Sequence, residues 1–551
     1  MRRRPVFPLL LALLSVALAG CGGSDRSGDG ATPPPLSGAR ILEDLRTLSS
    51  DDFMGRGPGQ PGGERAARYI ADQFEAAGLQ PVDGSWFQTV PMIGTTSVPP
   101  SVELSFHGDE GSVEPDYLDE FVLNAGDPAG DPVEVEAELV FAGYGISSPE
   151  NDWDDFGDTE VRGKVLLILV NDPPAPDDEP DLFGGPAMTY YGRWTYKYEE
   201  AARRGAAGAL IVHETEPAGY PWSVVRGGWS GEQFALPPDP AGPPPVPFLG
   251  WVSLETAEAA LAAGGLDFAE LKAEAGRRGF TAVPTGVRVD AAVESTVREV
   301  ETANVVGLLR GSSRPLEVIT VTSHYDHFGM GEAIDGDSIY NGAYDNASGT
   351  ALLMEMARSL AGMDEPPARS VLFMATAAEE QGLLGAAWYV QSPLFPLAST
   401  VAEINVDGAN LWGETEDVIV QGAERSQLGR YAEARAAEME LTIMPDAEPE
   451  KGFFFRSDHF PFALAGVPSL YIEHGRRYKG RPAEWGDSIQ ADYTAVHYHA
   501  PSDEFSETFV SEGAVQQGRL ARSIILDIAE SDSWPEWNEG SEFKAARDAM
   551  R

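Results

Sequence analysis

Cysteine is almost missing: the 551 residues hold a single one, Cys21. One thiol excludes an internal disulfide and leaves no cysteine to build a metal site elsewhere in the chain. Positive charge is scarce as well. Lys and Arg number 39 against 87 Asp and Glu, a formal net charge of -48. Such an acidic surface repels polyanions, which excludes nucleic acid as a partner. The acids are spread along the chain, so their plain role is solubility. Long apolar runs are missing too. The longest, residues 9–18, is too short to span a bilayer as a mature helix. What remains is an ordinary globular composition, 42% hydrophobic and 23% charged, in a chain long enough for two or three domains.

Arg2, Arg3 and Arg4 precede the apolar run, and Leu18-Ala19-Gly20-Cys21 follows it. That arrangement resembles the lipobox of bacterial lipoproteins. The resemblance implies a signal peptide over 1–20, lipid on Cys21, and export to the periplasmic or cell-surface face of the envelope, with the membrane reached through that lipid. Residues 21–37, rich in Gly, Ser, Asp and Pro, read as a flexible tether. Amphipathic helices are predicted over 39–49 and 64–78, separated by the loop GRGPGQPGG at 55–63. From 100 to 295 prolines are dense, strands short and helix sparse, with strands at 139–145, 165–170 and 209–212 and a helix at 196–206. From 296 to 532 strands and helices alternate: strands at 318–323, 370–376, 401–406, 418–421 and 467–472, helices at 350–361, 382–390, 426–440 and 511–530. Alternation of this kind predicts a mixed, mostly parallel α/β sheet flanked by helices. Residues 533–551 are left as a C-terminal tail.

In an open α/β sheet, ligands bind beyond the carboxyl ends of the strands. VITVTS runs into His324, SVLFMAT runs through two alanines into Glu379 and Glu380, and VAEINV runs into Asp407. Asp345 stands in GAYDNASG just before the 350–361 helix, and His499 in VHYHAPSD. Two imidazoles and three carboxylates suit borderline divalent metals. If Asp345 bridges, one ion takes His324, Asp345 and Asp407, and the other takes Asp345, Glu380 and His499. Each then has three protein ligands and an open place, the pattern of catalytic sites. Glu379 is left uncoordinated and is the natural general base for a hydrolysis. Each acid alone has a plainer role: Asp345 as a helix cap, Asp407 as a turn residue, Glu379 and Glu380 as a solvated pair. Their shared position at strand ends argues against all of these at once.

HYDHFG, GAYDNASG, ATAAEEQGLLGA, NVDG, RSDHFPF and YHAPSD occur in that order. Together they resemble the di-zinc aminopeptidases of the aminopeptidase Y type, metallopeptidase family twenty-eight. The resemblance covers about 300 to 510, with 38–99 as the N-terminal part of the same domain. It implies the zinc-dependent exopeptidase fold, two Zn2+ ions on His324, Asp345, Glu380, Asp407 and His499, Glu379 as base, and peptide substrates with a free N-terminus. It also implies that Asp326 orients His324, that Asp503 supports the ligands from outside, and that Tyr498 helps hold the oxyanion. Ser457, Asp458, His459 and Phe454 are candidates for a substrate pocket, with core packing as the alternative. Where relatives carry an acid or small residue before the bridging aspartate, this chain has Tyr344. The pattern GYG, W-x-D-F, a GKV-led strand and AARRGAAGALIV resembles the protease-associated domain, here inserted at 100–295 as a structural or gating element. His107, His213, His327, His474 and His497 read as ordinary core or surface residues. Rival expectations are a carboxypeptidase or cyclase of the same fold, and a receptor-like binding protein. The full ligand set argues against one-zinc cyclases and against a silent receptor.

Overall fold

A computed structural model describes residues 32–128, 131–176, 178–238 and 242–550. Cys21, the signal peptide and most of the tether lie outside the described residues. No helix among the described residues is long and apolar enough to cross a membrane.

Among the described residues, nine strands form the larger sheet: β1 (Phe87–Ser97), β2 (Gln233–Ala235), β3 (Ser295–Leu309), β4 (Arg314–His324), β5 (Arg369–Thr376), β6 (Thr400–Asn405), β7 (Asp417–Gln421), β8 (Thr442–Met444) and β9 (Ser469–His474). Their order is β2-β1-β3-β5-β4-β6-β9-β7-β8. The centre is parallel, with β4 between β5 and β6 and β6 beside β9. β1, β3 and β7 pair antiparallel with their neighbours β2, β5 and β9 or with one another. Every residue of β5 and β6 is buried, as strands covered on both faces must be. One face packs Ile41, Ile70, Phe74, Leu352, Met356 and Ile524 from four helices. The other packs Tyr389 and Phe462.

Eight strands drawn from residues between Glu103 and Val293 form a second sheet with its own core. The region holds more helix than expected: Trp194–Arg204, Trp222–Trp229, Leu254–Ala263 and Phe268–Ala275. Two of these begin with a side-chain cap, Ser253 accepting from Thr256 N and Asp267 from Glu270 N. That is a start signal which the surrounding prolines obscure. β2 leaves this region to pair with β1 at the edge of the larger sheet.

The C-terminal segment is not a tail. Trp537 and Phe543 are buried against Phe454 and Phe460, Trp537 Nε1 donates to Gly466 O at 2.9 Å, and the buried Arg547 donates to Leu397 O and Thr400 O. Two separated aromatic anchors carry no periodic signal, so composition alone misreads them. The tether, likewise, ends in packed structure. Leu36 is buried, and Ser359 Oγ donates to Pro34 O at 2.6 Å.

Candidate metal centre

β5, β4 and β6 lie side by side, so their carboxyl ends bring His324, the Glu379–Glu380 pair and Asp407 to one edge. Asp345 arrives from Ala343–Ser348, the segment that leads into helix Gly349–Ala361. His499 arrives from the loop after helix Trp485–Val496. His324 Nε2 lies 3.4 Å from Asp345 Oδ1 and 3.2 Å from Asp407 Oδ1. His499 Nε2 lies 3.3 Å from Asp345 Oδ2 and 3.1 Å from Glu380 Oε2. Asp345 therefore turns one oxygen to each histidine. A tetrahedron with bonds near 2.0–2.1 Å has edges of about 3.3–3.4 Å, so these four histidine–carboxylate distances have the spacing of ligands on a shared cation, and His324, Asp345 and Glu380 also lie close enough together to hold one.

Charge points the same way. Asp326, Asp345, Glu379, Glu380, Asp407 and Asp458 converge here, and among the described residues none is ion-paired to Lys or Arg. Carboxylates held this close, away from water, require cationic compensation. In the chain alone, the histidines supply it. Burial lowers His499, but Glu380 and Asp345 outweigh it and push the imidazole up to about 10. His324 is likewise raised, against burial, by Asp407, Glu379 and Asp345. Metal binding would release those protons. The donor set fits a pair of divalent cations sharing Asp345.

Glu379 stands apart. Its carboxylate approaches His324 Nε2 only to 3.9 Å, beyond the tetrahedral edge, although it falls within a looser trio with His324 and Asp407. Burial, reinforced by Glu380, Asp407 and Asp458 and opposed by His324, holds its carboxyl well above the usual range. A carboxyl with raised proton affinity beside the metal ligands suits a proton acceptor better than a ligand.

The supporting residues depart in part from expectation. Asp326 Oδ1 is 3.8 Å from His324 Nδ1, too far to hold it, whereas the Asp326 carbonyl is 3.3 Å away. The Asp326 carboxylate instead accepts from Glu379 N at 3.1 Å and so positions the base. Asp503 accepts from Tyr344 N, Asp345 N and Tyr493 OH and fixes the bridging segment. Tyr498, 49% exposed, stacks on the His499 ring with centroids 3.7 Å apart. Tyr344 packs against Trp412 and Tyr493 and contacts His474 Nε2 through its hydroxyl at 2.9 Å.

Of the two expectations for Ser457, Asp458, His459 and Phe454, burial fits the packing one. All four are buried, because the turn into helix His459–Leu464 carries them beneath the strand ends. Ser457 Oγ donates to Asp407 Oδ2 at 2.7 Å, and Thr376 Oγ1 donates to Asp458. His459 has no hydrogen-bonded ring nitrogen and packs on Phe454 and Tyr471; burial pulls it down to about 3.

Two residues were missed. His327 is fully buried with Nδ1 2.6 Å from Glu380 Oε1, so it orients a ligand. Its place three residues after His324 was the available signal. His327→Ala is expected to weaken metal binding by about 10- to 100-fold, measured by competition with a chelating dye; unchanged affinity would show that Glu380 needs no such support. Arg56, in the 55–63 loop, is fully buried and donates to Tyr325 O, Leu48 O, Asn341 O and Gly342 O at 2.7, 2.9, 2.5 and 2.8 Å. It ties the loops that carry His324 and Asp345 to the N-terminal segment. Arg56→Met strands four carbonyls and is expected to cost roughly 3 kcal/mol or more. Melting curves should show the drop, with the exposed Arg65→Met as control; equal melting would contradict the role.

The model of Peptidase family M28 matches residues 304–521. Aminopeptidase YwaD of Bacillus subtilis (strain 168) is 26% identical over 235 residues, 42% of this chain and 46% of that protein. A probable zinc metalloprotease of Leptosphaeria maculans is 44% identical over 89 residues, 16% of this chain and 20% of that protein. These alignments span less than half the length of either relative. The structure of an aminopeptidase from Aneurinibacillus sp. strain AM-1 superposes with a TM-score of 0.51 at 18% identity, covering 91% of this chain and 96% of that one. The two share a fold, a mixed α/β architecture with helix-flanked sheets.

Proposed function

We propose that residues 304–521, which the model of Peptidase family M28 matches, form a domain of that family and make the chain a zinc aminopeptidase that removes N-terminal residues from peptides. The observation that carries the proposal is the division of Asp345 between His324 and His499, with Glu379 farther out, 3.9 Å from His324 Nε2. His324, Asp345 and Asp407 would hold one zinc ion, and Asp345, Glu380 and His499 the other. Bound zinc supplies Lewis acidity, which activates water and polarises a carbonyl at neutral pH. Glu379 takes the proton of the attacking water and returns it to the departing amine. Asp326 accepts from Glu379 N and so fixes the main chain that carries the base. Tyr498 stands at the open side, where its hydroxyl serves the developing oxyanion. The names of the relatives support both the metal and the activity.

The region of the second sheet serves as a protease-associated insert, and Cys21 carries the lipid that anchors the exported protein. Protein beginning after residue 21, loaded with zinc, is expected to hold two equivalents and to hydrolyse aminoacyl anilides. Metal-loaded protein that cleaves none of a broad anilide panel would refute the aminopeptidase assignment.

A further inference from the structure

Among the described residues two arginines near the centre have no carboxylate partner, although Arg456 lies over the Phe453 ring at 5.3 Å. Arg193 follows Tyr190–Gly192 in the inserted region and opens helix Trp194–Arg204. Arg456 precedes Ser457, which holds the ligand Asp407. The segments that carry them are pinned together. The Tyr190 ring lies 5.0 Å from Phe460 and 6.4 Å from Phe455, and Met188 N donates to Pro449 O at 2.9 Å. A side chain begun at Gly219 would start 3.6 Å from Arg456 Nη2, so that guanidinium reaches the inserted region.

Both side chains are half-buried. Among the described residues neither guanidinium has an ion pair, and Arg456 Nε is buried without a hydrogen bond. In a chain with more than two acids per base, two adjacent cations left without carboxylates stand out. Burial, then the charge of Arg456, lowers Arg193 to about 10.

We infer that Arg193 and Arg456 bind a carboxylate of the peptide substrate at the seam between the inserted region and the catalytic domain, next to the Ser457–Asp407 contact. A guanidinium fork matches a carboxylate in two parallel hydrogen bonds, and half-buried cations without counter-charge gain from an arriving anion. A peptide offers that anion as an acidic side chain or as its C-terminus. This inference rests on the peptidase activity proposed above.

Calorimetry on zinc-loaded Glu379→Gln protein, which should bind peptides without consuming them, tests it. The probes are Ala-Ala, Ala-Ala amide and Ala-Glu amide. With both arginines in place, a carboxylate-bearing peptide is expected to bind at least about tenfold more tightly than Ala-Ala amide. Preference for Ala-Ala assigns the site to the C-terminus, and preference for Ala-Glu amide to the side chain. Arg193→Gln and Arg456→Gln should each erase most of the difference, and Arg456→Lys should restore part of it. Equal binding of all three peptides overturns the inference, as does a difference that survives both Gln substitutions; the first comparison needs no arginine variant to fold. Failure of the aminopeptidase proposal looks different: the Glu379-containing protein would release the C-terminal residue of Ala-Ala-Leu, or none, while the calorimetric comparison stands.

Discussion

Glu379→Gln is expected to lower turnover by about 10²- to 10⁴-fold while leaving the zinc content unchanged. The amide keeps the shape of the side chain but cannot accept a proton. Glu379 has the position for this part, 3.9 Å from His324 Nε2 and outside both ligand trios, and its carboxyl is held well above the usual range by burial and neighbouring acids. Anilide hydrolysis and metal analysis on the same preparation check the two halves together. A variant that keeps parental turnover removes Glu379 as base. One that loses metal along with turnover makes it a ligand, the role its looser trio with His324 and Asp407 would give it.

Asp345→Ala is expected to lose both ions, whereas His499→Ala should lose mainly one. The difference follows from geometry: the Asp345 oxygens lie 3.4 and 3.3 Å from the two histidines, and among the described residues no other carboxylate lies within 4.0 Å of both. Zinc per chain by mass spectrometry should fall below one for Asp345→Ala and stay near one for His499→Ala. The metal also offsets the crowded acids, so chelation should lower the melting temperature of the parent. A bound ion present at 100 times its dissociation constant stabilises by about 2.7 kcal/mol. Chelation should shift Asp345→Ala little, because nothing remains to remove. An equal shift in both proteins would place the metal elsewhere.

The centre was legible because its chemistry sits at strand ends. β4, β5 and β6 are apolar runs with clear limits, and each is followed closely by an acid or a histidine. The partner residues were harder to read, because contacts across the fold leave no local pattern. Arg56 donates to carbonyls as far as 286 residues away, and nothing in GRGPGQPGG announces this. His327 looks like any buried histidine until Glu380 is seen beside it. For Ser457 to His459 the resemblance offers a substrate pocket and the flanking aromatics offer core packing, and a one-dimensional motif does not say whether a chain reaches a site from beneath or from above. Trp537 and Phe543 escaped notice because two anchors in a charged segment have no period. The unpaired state of Arg193 and Arg456 is invisible in one dimension, since only a folded chain shows which cations lack acids.

The most direct test is anomalous diffraction at the zinc edge from crystals of the zinc-loaded protein. Two peaks are expected, about 3.5–4 Å apart, one between His324 and Asp407 and one between Glu380 and His499, with Asp345 reaching both. A single peak, or two peaks that do not share Asp345, would contradict the two-ion centre.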